Sequence, residues 1–273
     1  MAGPIVLLTD FGLDDAYVGT MKGVILRINP RVSIVDLCHQ VAPYGIAEGA
    51  WLLASSYPYF APDAIFVAVV DPGVGSERRA IALETPRGTF VGPDNGLFGP
   101  IVGDFGARAP AAGGRASLAG SPVEAVVLSD ERYFLPRVSA TFHGRDVFAP
   151  VAAHLSLGVP LAALGPPLVD LVVLPAPRPE RRAGEILGHV LHVDRFGNAI
   201  TDLTAADLQG LARPVIEAAG QRIVGLSHHY AERAGVLALL GSAGHLEIAV
   251  SGGSAAMALG LRVGDPVIAR EER

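Results

Sequence analysis

Apolar positions in the first half of this chain form short unbroken runs, whereas those in the second half alternate or pair like hairpins. "PIVLL", residues 4–8, suits a strand buried on both faces, and "TDFGLDDA" behind it reads as a loop. "YVGTMKGVILRINP" has helical spacing and is stopped by Pro30. "VSIVDLC" predicts a second strand with Asp36 near its end, "IAEGAWLLASSYPYF" a second helix closed by Pro58, and "AIFVAVVD" a third strand. Strands alternating with helices of this length need crossover connections, which make the sheet largely parallel. "RAIALET" and "GTFVGPDNGLF", separated only by "PRG", add a hairpin. The small-residue stretch "GDFGARAPAAGGRASLAGSP" predicts a loop without regular structure, and "DVFAPVAAHLSLG" returns to helical spacing.

The proline- and arginine-rich segment "LPAPRPERRAGE", residues 174–185, has the composition of a boundary that few contacts cross. Beyond it come "EILGHVLHVD", "NAITDL", "PVIEAAGQRIV", "GVLALLGSAGHLEIAV" and "DPVIA", mostly with no helix between them. That pattern predicts a small antiparallel barrel or sandwich. The expected fold is α/β with two domains: 1–175 around a largely parallel central sheet, and 183–273 as a smaller antiparallel β-barrel.

Composition narrows the classes of function. The 273 residues are 50% hydrophobic and only 18% charged, with a mean hydropathy of +0.41, which fits a compact protein with much buried surface, some of it between subunits. A net charge of −6 without any dominant Lys/Arg stretch leaves no electrostatic footprint for nucleic acid. Cys38 is the single cysteine, which excludes an internal disulfide and a multi-cysteine zinc site. "MAGPIVLLTDFG" has neither a basic leader nor an apolar run long enough for a membrane span, so a cytoplasmic location is expected.

In a parallel sheet, ligands sit beyond the carboxyl ends of the strands, where "PIVLL" delivers Asp10 and "AIFVAVV" delivers Asp71. Either aspartate alone is equally a cap or a turn residue. "DPGVGSERR" lacks the lysine and hydroxyl of a phosphate loop, and Gly12 and Gly19 have the wrong spacing for a dinucleotide fingerprint. In "SATFHGRDVFAP", His143 precedes a helix beside a glycine, where an imidazole has room to face a pocket. "HVDRFGNAITDL" combines Asp194, Phe196 and Asn198, an aromatic face and an amide suited to a purine, or a β-turn in which Gly197 supplies positive φ.

Together these segments resemble the S-adenosylmethionine hydroxide adenosyltransferases (SAM hydrolases), relatives of the fluorinating and chlorinating enzymes. The likeness runs collinearly through "LLTDFGLDDAYVGTMKGVI", "VDLCHQVAPYGIAEGA", "VVDPGVGSERR", "VGPDNGL", "TFHGRDVFAP", "DRFGNAITDL" and "GHLEIAVSGGSAA". It implies an α/β domain followed by a β-barrel domain, a homotrimer with sites between subunits, and S-adenosyl-L-methionine as substrate. The catalytic set it implies is Asp71, the arginine seven residues on (Arg78) and His143, with Arg79 standing beside Arg78 as the alternative. Asp10 would hold the ribose diol, Asp14 support it, and Tyr44 lie beside the sugar, while Thr141 and Phe142 flank the nucleophile. Asp194 would meet the methionine ammonium, Phe196 and Tyr230 pack on adenine and Asn198 bond its edge, with Ser242 and Glu247 at the methionine end. Ser251 stands where many relatives carry asparagine.

The implied reaction is attack by water on the ribose 5′ carbon, giving adenosine and L-methionine without cofactor or metal. Two alternatives have different signatures: a halide-dependent adenosyl transferase would release 5′-halo-adenosine, and a non-catalytic binding protein would be expected to have lost Asp71, Arg78 or His143.

Overall fold

The computed structural model describes residues 3–175, 178–182 and 184–272; residues 176, 177 and 183 of the proline-rich segment lie outside them. The chain divides into two compact units, Met1–Ala176 and Pro177–Arg273.

In the first unit the strands are β1 (Ile5–Thr9), β2 (Ile34–Cys38), β3 (Ile65–Val69), β4 (Ala80–Thr85), β5 (Gly88–Pro93), β6 (Gly114–Ser117), β7 (Glu124–Val127) and β8 (Asp170–Val173). The main sheet has the order β2-β1-β3-β5-β4-β7. The pairs β1/β2, β1/β3 and β3/β5 are parallel, and β4 runs antiparallel to both β5 and β7. Helices α1 (Tyr17–Ile28), α2 (Ile46–Ser56), α3 (Gly99–Asp104) and α4 (Ala149–Ser156) cover the sheet.

The unbroken apolar runs follow from burial on both faces. Val6, Leu8, Phe66 and Ala68 belong to the core shared with α2 and α3, while Ile5, Leu7, Ile65, Val67 and Val69 belong to the core shared with α1 and α4. Every residue of β1 and β3 is therefore buried. At about 1.5–3 kcal/mol for each large aliphatic side chain removed from water, these strands fix the sheet and hence whatever follows their carboxyl ends.

One expectation is corrected. The stretch expected to be an irregular loop begins inside α3 and contains β6, which pairs antiparallel with β8. Small residues give no periodicity to read, and the partner strand lies far along the chain.

In the second unit, β9 (Glu180–Arg182), β10 (Glu185–Val193), β11 (Ala199–Thr204), β12 (Pro214–Ala218), β13 (Gln221–Val224), β14 (Val236–Leu240), β15 (His245–Val250) and β16 (Pro266–Glu271) are joined by one short helix, α5 (Ala255–Leu259). Their order is β13-β12-β16-β10-β11-β15-β14, antiparallel throughout, with β9 beside β10. The two end strands β13 and β14 approach one another, so the sheet curls toward a barrel around Ile186, Val190, Leu203, Ile216, Leu246 and Ile248. Among the described residues no helix is long and apolar enough to cross a membrane.

Candidate active site

β3 ends at Val69, and Asp71 lies just beyond it, with the Val70 carbonyl accepting a 2.8 Å hydrogen bond from the Asn95 amide. The Asp71 side chain is 4% exposed and the Arg78 side chain 10%. An isolated carboxylate at that depth would be expensive, so its pairing decides what it can do. Arg78 supplies the pair: Nε donates to Oδ1 at 3.0 Å and Nη2 to Oδ2 at 2.5 Å. The same Nη2 lies 2.9 Å from His143 Nδ1. A guanidinium only donates, so Nδ1 is the acceptor, and the neutral ring carries its proton on Nε2. The Arg78 guanidinium also lies over the Phe148 ring, 5.3 Å from its centroid.

Burial, and after it the positive charge of Arg78, holds the His143 imidazole below the usual histidine range, against the opposing pull of Asp71, Asp146 and the Ser139 backbone. The ring is therefore neutral at neutral pH.

Local sequence explains how three distant residues meet. Asp71 to Ser76 form a tight turn in which Val74 N–H donates to the Asp71 carbonyl and Ser76 N–H to that of Gly73. Gly75 has φ +76°, and a Cβ there would collide with the Ala140 carbonyl oxygen. Only glycine lets the arginine-bearing turn pack against the segment that leads to His143. That segment is held in turn by Asp146, which is fully buried and accepts from Ser139 N and Oγ at 2.8 and 2.7 Å and from Arg145 Nε at 2.6 Å. His143 opens a π-helical turn, Gly144–Phe148, that runs into α4.

Arg79 has a different task. It donates to Asp94 from Nε at 2.7 Å and reaches the Asp170 carbonyl at 2.8 Å. The adjacent arginines thus point into separate networks, and Arg78 is the one beside Asp71 and His143.

Asp10 follows β1, and its Oδ2 accepts from Tyr44 N–H at 2.9 Å. Tyr44 adopts φ +66°, a left-handed conformation that costs a non-glycine residue about 1 kcal/mol or more, and its ring is 72% exposed. Asp14 and Thr141 are exposed. Phe142 is half-buried, edge-on to Phe11 and Tyr17.

In the second unit Asp194 closes a turn. Its Oδ1 accepts from the backbone N–H of Phe196 and Asn198 at 2.9 and 2.8 Å, and its Oδ2 accepts from Asn198 Nδ2 at 2.9 Å. Gly197 has φ +82°, and a Cβ there would strike Ser254. The turn leaves the Phe196 ring 76% exposed while Asn198 is buried. Tyr230 donates to Glu247 Oε2 at 2.7 Å, and burial with this carboxylate beside it pushes the phenol well up from its usual range. Glu247 is buried, Ser242 is exposed, and Gly241 leaves the space that the Glu247 carboxylate fills.

The structure therefore gathers Asp71, Arg78 and His143 into one group, Asp10 and Tyr44 into a second, Asp194, Phe196 and Asn198 into a third, and Tyr230 with Glu247 into a fourth. Sequence reasoning missed residues that hold the first of these groups in place: Asn95, Ser139 and Asp146. Their signal was their place inside the motif segments "VGPDNGL" and "SATFHGRD".

Known proteins share this arrangement of segments. The family model of the SAM hydroxide adenosyltransferase N-terminal domain matches residues 5–165, and that of the C-terminal domain matches residues 188–268. A (R)-S-adenosyl-L-methionine hydrolase from Thermus thermophilus is 43% identical over 97% of this chain and 98% of its own. A crystal structure of a conserved Thermotoga maritima protein superposes with a TM-score of 0.86 at 32% identity, covering 98% of this chain and all of that one. A fluorinase from Actinoplanes sp. is 29% identical over 75% of this chain and 73% of its own.

Proposed function

The chain belongs to the SAM hydroxide adenosyltransferase family, and we propose that it hydrolyses S-adenosyl-L-methionine to adenosine and L-methionine by attack of water on the ribose 5′ carbon. The observation that carries this reading is the Asp71–Arg78–His143 group beyond the carboxyl end of β3.

The chemistry asks most of the nucleophile. A sulfonium leaves as a neutral thioether and needs no proton, whereas water is weak and must lose one as the C–O bond forms. Arg78 spends its donors on both oxygens of Asp71 and on His143 Nδ1, which locks the carboxylate in plane and the imidazole in one tautomer. The ring lone pair then faces Arg78. His143 offers Nε2–H to the oxygen of the attacking water, and Asp71 keeps the lone pairs that take its proton. Base catalysis of this kind contributes roughly 10²–10⁴-fold.

Asp10 accepts from the ribose hydroxyls, Tyr44 lies beside the sugar with Asp14 in support, and Thr141 and Phe142 flank the water. Phe196, Tyr230 and Asn198 hold adenine, and Asp194, Ser242 and Glu247 hold the amino-acid end. A homotrimer that supplies sites between subunits and a cytoplasmic location complete the proposal, the latter supported by a single unpaired cysteine, Cys38.

Incubation with S-adenosylmethionine in ¹⁸O-water tests this directly. Adenosine and methionine should form in equal amounts with the label in the 5′ hydroxyl, and Asp71→Ala should lose roughly 10²–10⁴-fold in kcat. Label absent from the 5′ hydroxyl, or an undiminished rate in Asp71→Ala, refutes the mechanism. Release of 5′-chloro-adenosine in high chloride would instead establish the halide-dependent alternative, and binding without turnover the non-catalytic one.

A further inference from the structure

His39, directly after β2, is a deeply enclosed titratable group that the proposed reaction does not use: its side chain is 2% exposed. Its Nε2 lies 3.0 Å from Asp36 Oδ1 and its Nδ1 2.9 Å from Thr9 Oγ1. Asp36 also accepts from Lys22 Nζ at 2.6 Å; burial pushes its carboxyl up, but Lys22 and His39 outweigh this and bring it below its ordinary range. An ionised carboxylate only accepts, so Nε2 donates to it. Nδ1 then accepts a hydrogen bond from the Thr9 hydroxyl, and Thr9 Oγ1 accepts from Phe11 N–H at 3.2 Å. Every polar atom in the series has a partner of the right sense.

A hydroxyl, an imidazole and a carboxylate in sequence have the makeup of a nucleophilic triad, but Thr9 is fully buried and no substrate atom can reach it. The series leads elsewhere. Thr9 and Phe11 are the two neighbours of Asp10, and the next residue, Gly12, donates its N–H to the His39 carbonyl at 2.7 Å. The chain leaving His39 returns at Tyr44, whose N–H meets Asp10 Oδ2. Ring and backbone of one residue thus staple both sides of Asp10 and begin the segment that bonds its carboxylate.

The geometry points to His39 as a positioning residue that, acting through Thr9, sets the orientation of the Asp10 carboxylate toward a vicinal diol. This rests on the reading of Asp10 as the ribose contact. It predicts that loss of the imidazole weakens diol recognition without touching the attack on the 5′ carbon.

The test compares S-adenosylmethionine with its 2′-deoxy analogue in wild type, Asp10→Ala, His39→Gln, Thr9→Val and Thr9→Ser. Expected are a KM for S-adenosylmethionine raised about tenfold in His39→Gln and Thr9→Val, the effect of a lost hydrogen bond to a charged group, with kcat within about twofold. The preference for the diol substrate should shrink in both variants as it does in Asp10→Ala, and Thr9→Ser, which keeps the hydroxyl, should restore it. A diol preference that survives in His39→Gln and Thr9→Val but is lost in Asp10→Ala overturns the role of His39. A preference that survives in Asp10→Ala overturns the assignment of Asp10 itself. Thr9→Val carries the test should His39→Gln fail to fold.

Discussion

The Asp71 group of the first unit and the Asp194 turn of the second fix their polar side chains in opposite ways. In the first, partners come from far along the chain: Asp71 and Arg78 meet His143, Thr9 meets His39, and Arg79 meets Asp94 and Asp170. In the second, Asp194 spends both oxygens on groups no more than four residues away, and the product is a turn that leaves Phe196 exposed and Asn198 buried. A constellation built by tertiary packing holds reacting groups in a fixed mutual geometry, as bond making requires. A locally closed turn holds one surface steady, as recognition requires. Substitutions in the Asp71–Arg78–His143 group should therefore act on kcat and those in the Asp194 turn on KM.

The largest effect should separate the two adjacent arginines. Lysine keeps the charge but is a point donor that cannot serve both oxygens of Asp71 and His143 together. Arg78→Lys should lower kcat by about 10² or more, because the carboxylate and the ring are then no longer held in one geometry. Arg79→Lys instead loses the Arg79 bonds to Asp94 and Asp170, leaving Arg115 to bridge the two carboxylates. It should cost about 1–3 kcal/mol of stability, seen as a lower Tm, while kcat stays within a few-fold. Equal losses of kcat in the two variants, measured by adenosine release, would erase the distinction drawn from their separate networks.

A smaller effect should come from Asp194→Ala, which removes the acceptor for three donors at once. The turn would lose about 1–3 kcal/mol of local stability, and KM should rise roughly tenfold with little change in kcat. A fall in kcat with KM unchanged would show that the second unit takes part in the chemistry and is not confined to holding the substrate.

What the sequence allowed one to read follows the same division. Both domains, the parallel strands and the hairpin were legible because burial on two faces writes apolar runs such as "PIVLL" and "AIFVAVV", and turns write glycine. Asp10 and Asp71 were legible as strand-end carboxylates. The choice between Arg78 and Arg79 was not, since their separation depends on where Asp94 and Asp170 lie in space. Nor were β6 and β8, whose pairing spans more than fifty residues of chain. His39 and Asp146 escaped notice because a buried polar residue carries no periodic mark; only the partners around it reveal what it holds.

The smallest effect concerns pH, and its sign follows from the buried imidazoles. His143 and His154 are both held below the ordinary histidine value, in each case by burial first, with the charge of Arg78 adding to it at His143. Between those lowered values and about 6.5, the unfolded chain binds protons that the folded chain refuses, so stability rises with pH through that window and is lost as the solution is acidified. Catalysis should fall over the same range for a separate reason. A proton on His143 Nδ1 would face the Arg78 guanidinium, and the bond that locks the ring would be replaced by repulsion. His154 packs edge-on to Tyr133 and has no part in that group. His154→Gln should therefore flatten the dependence of Tm on pH while leaving the acid limb of kcat/KM in place. An acid limb that moves with His154→Gln, or one centred above 6.5, would show that His143 is not the group whose neutral form the reaction needs, and that the first unit's constellation depends on protonation elsewhere.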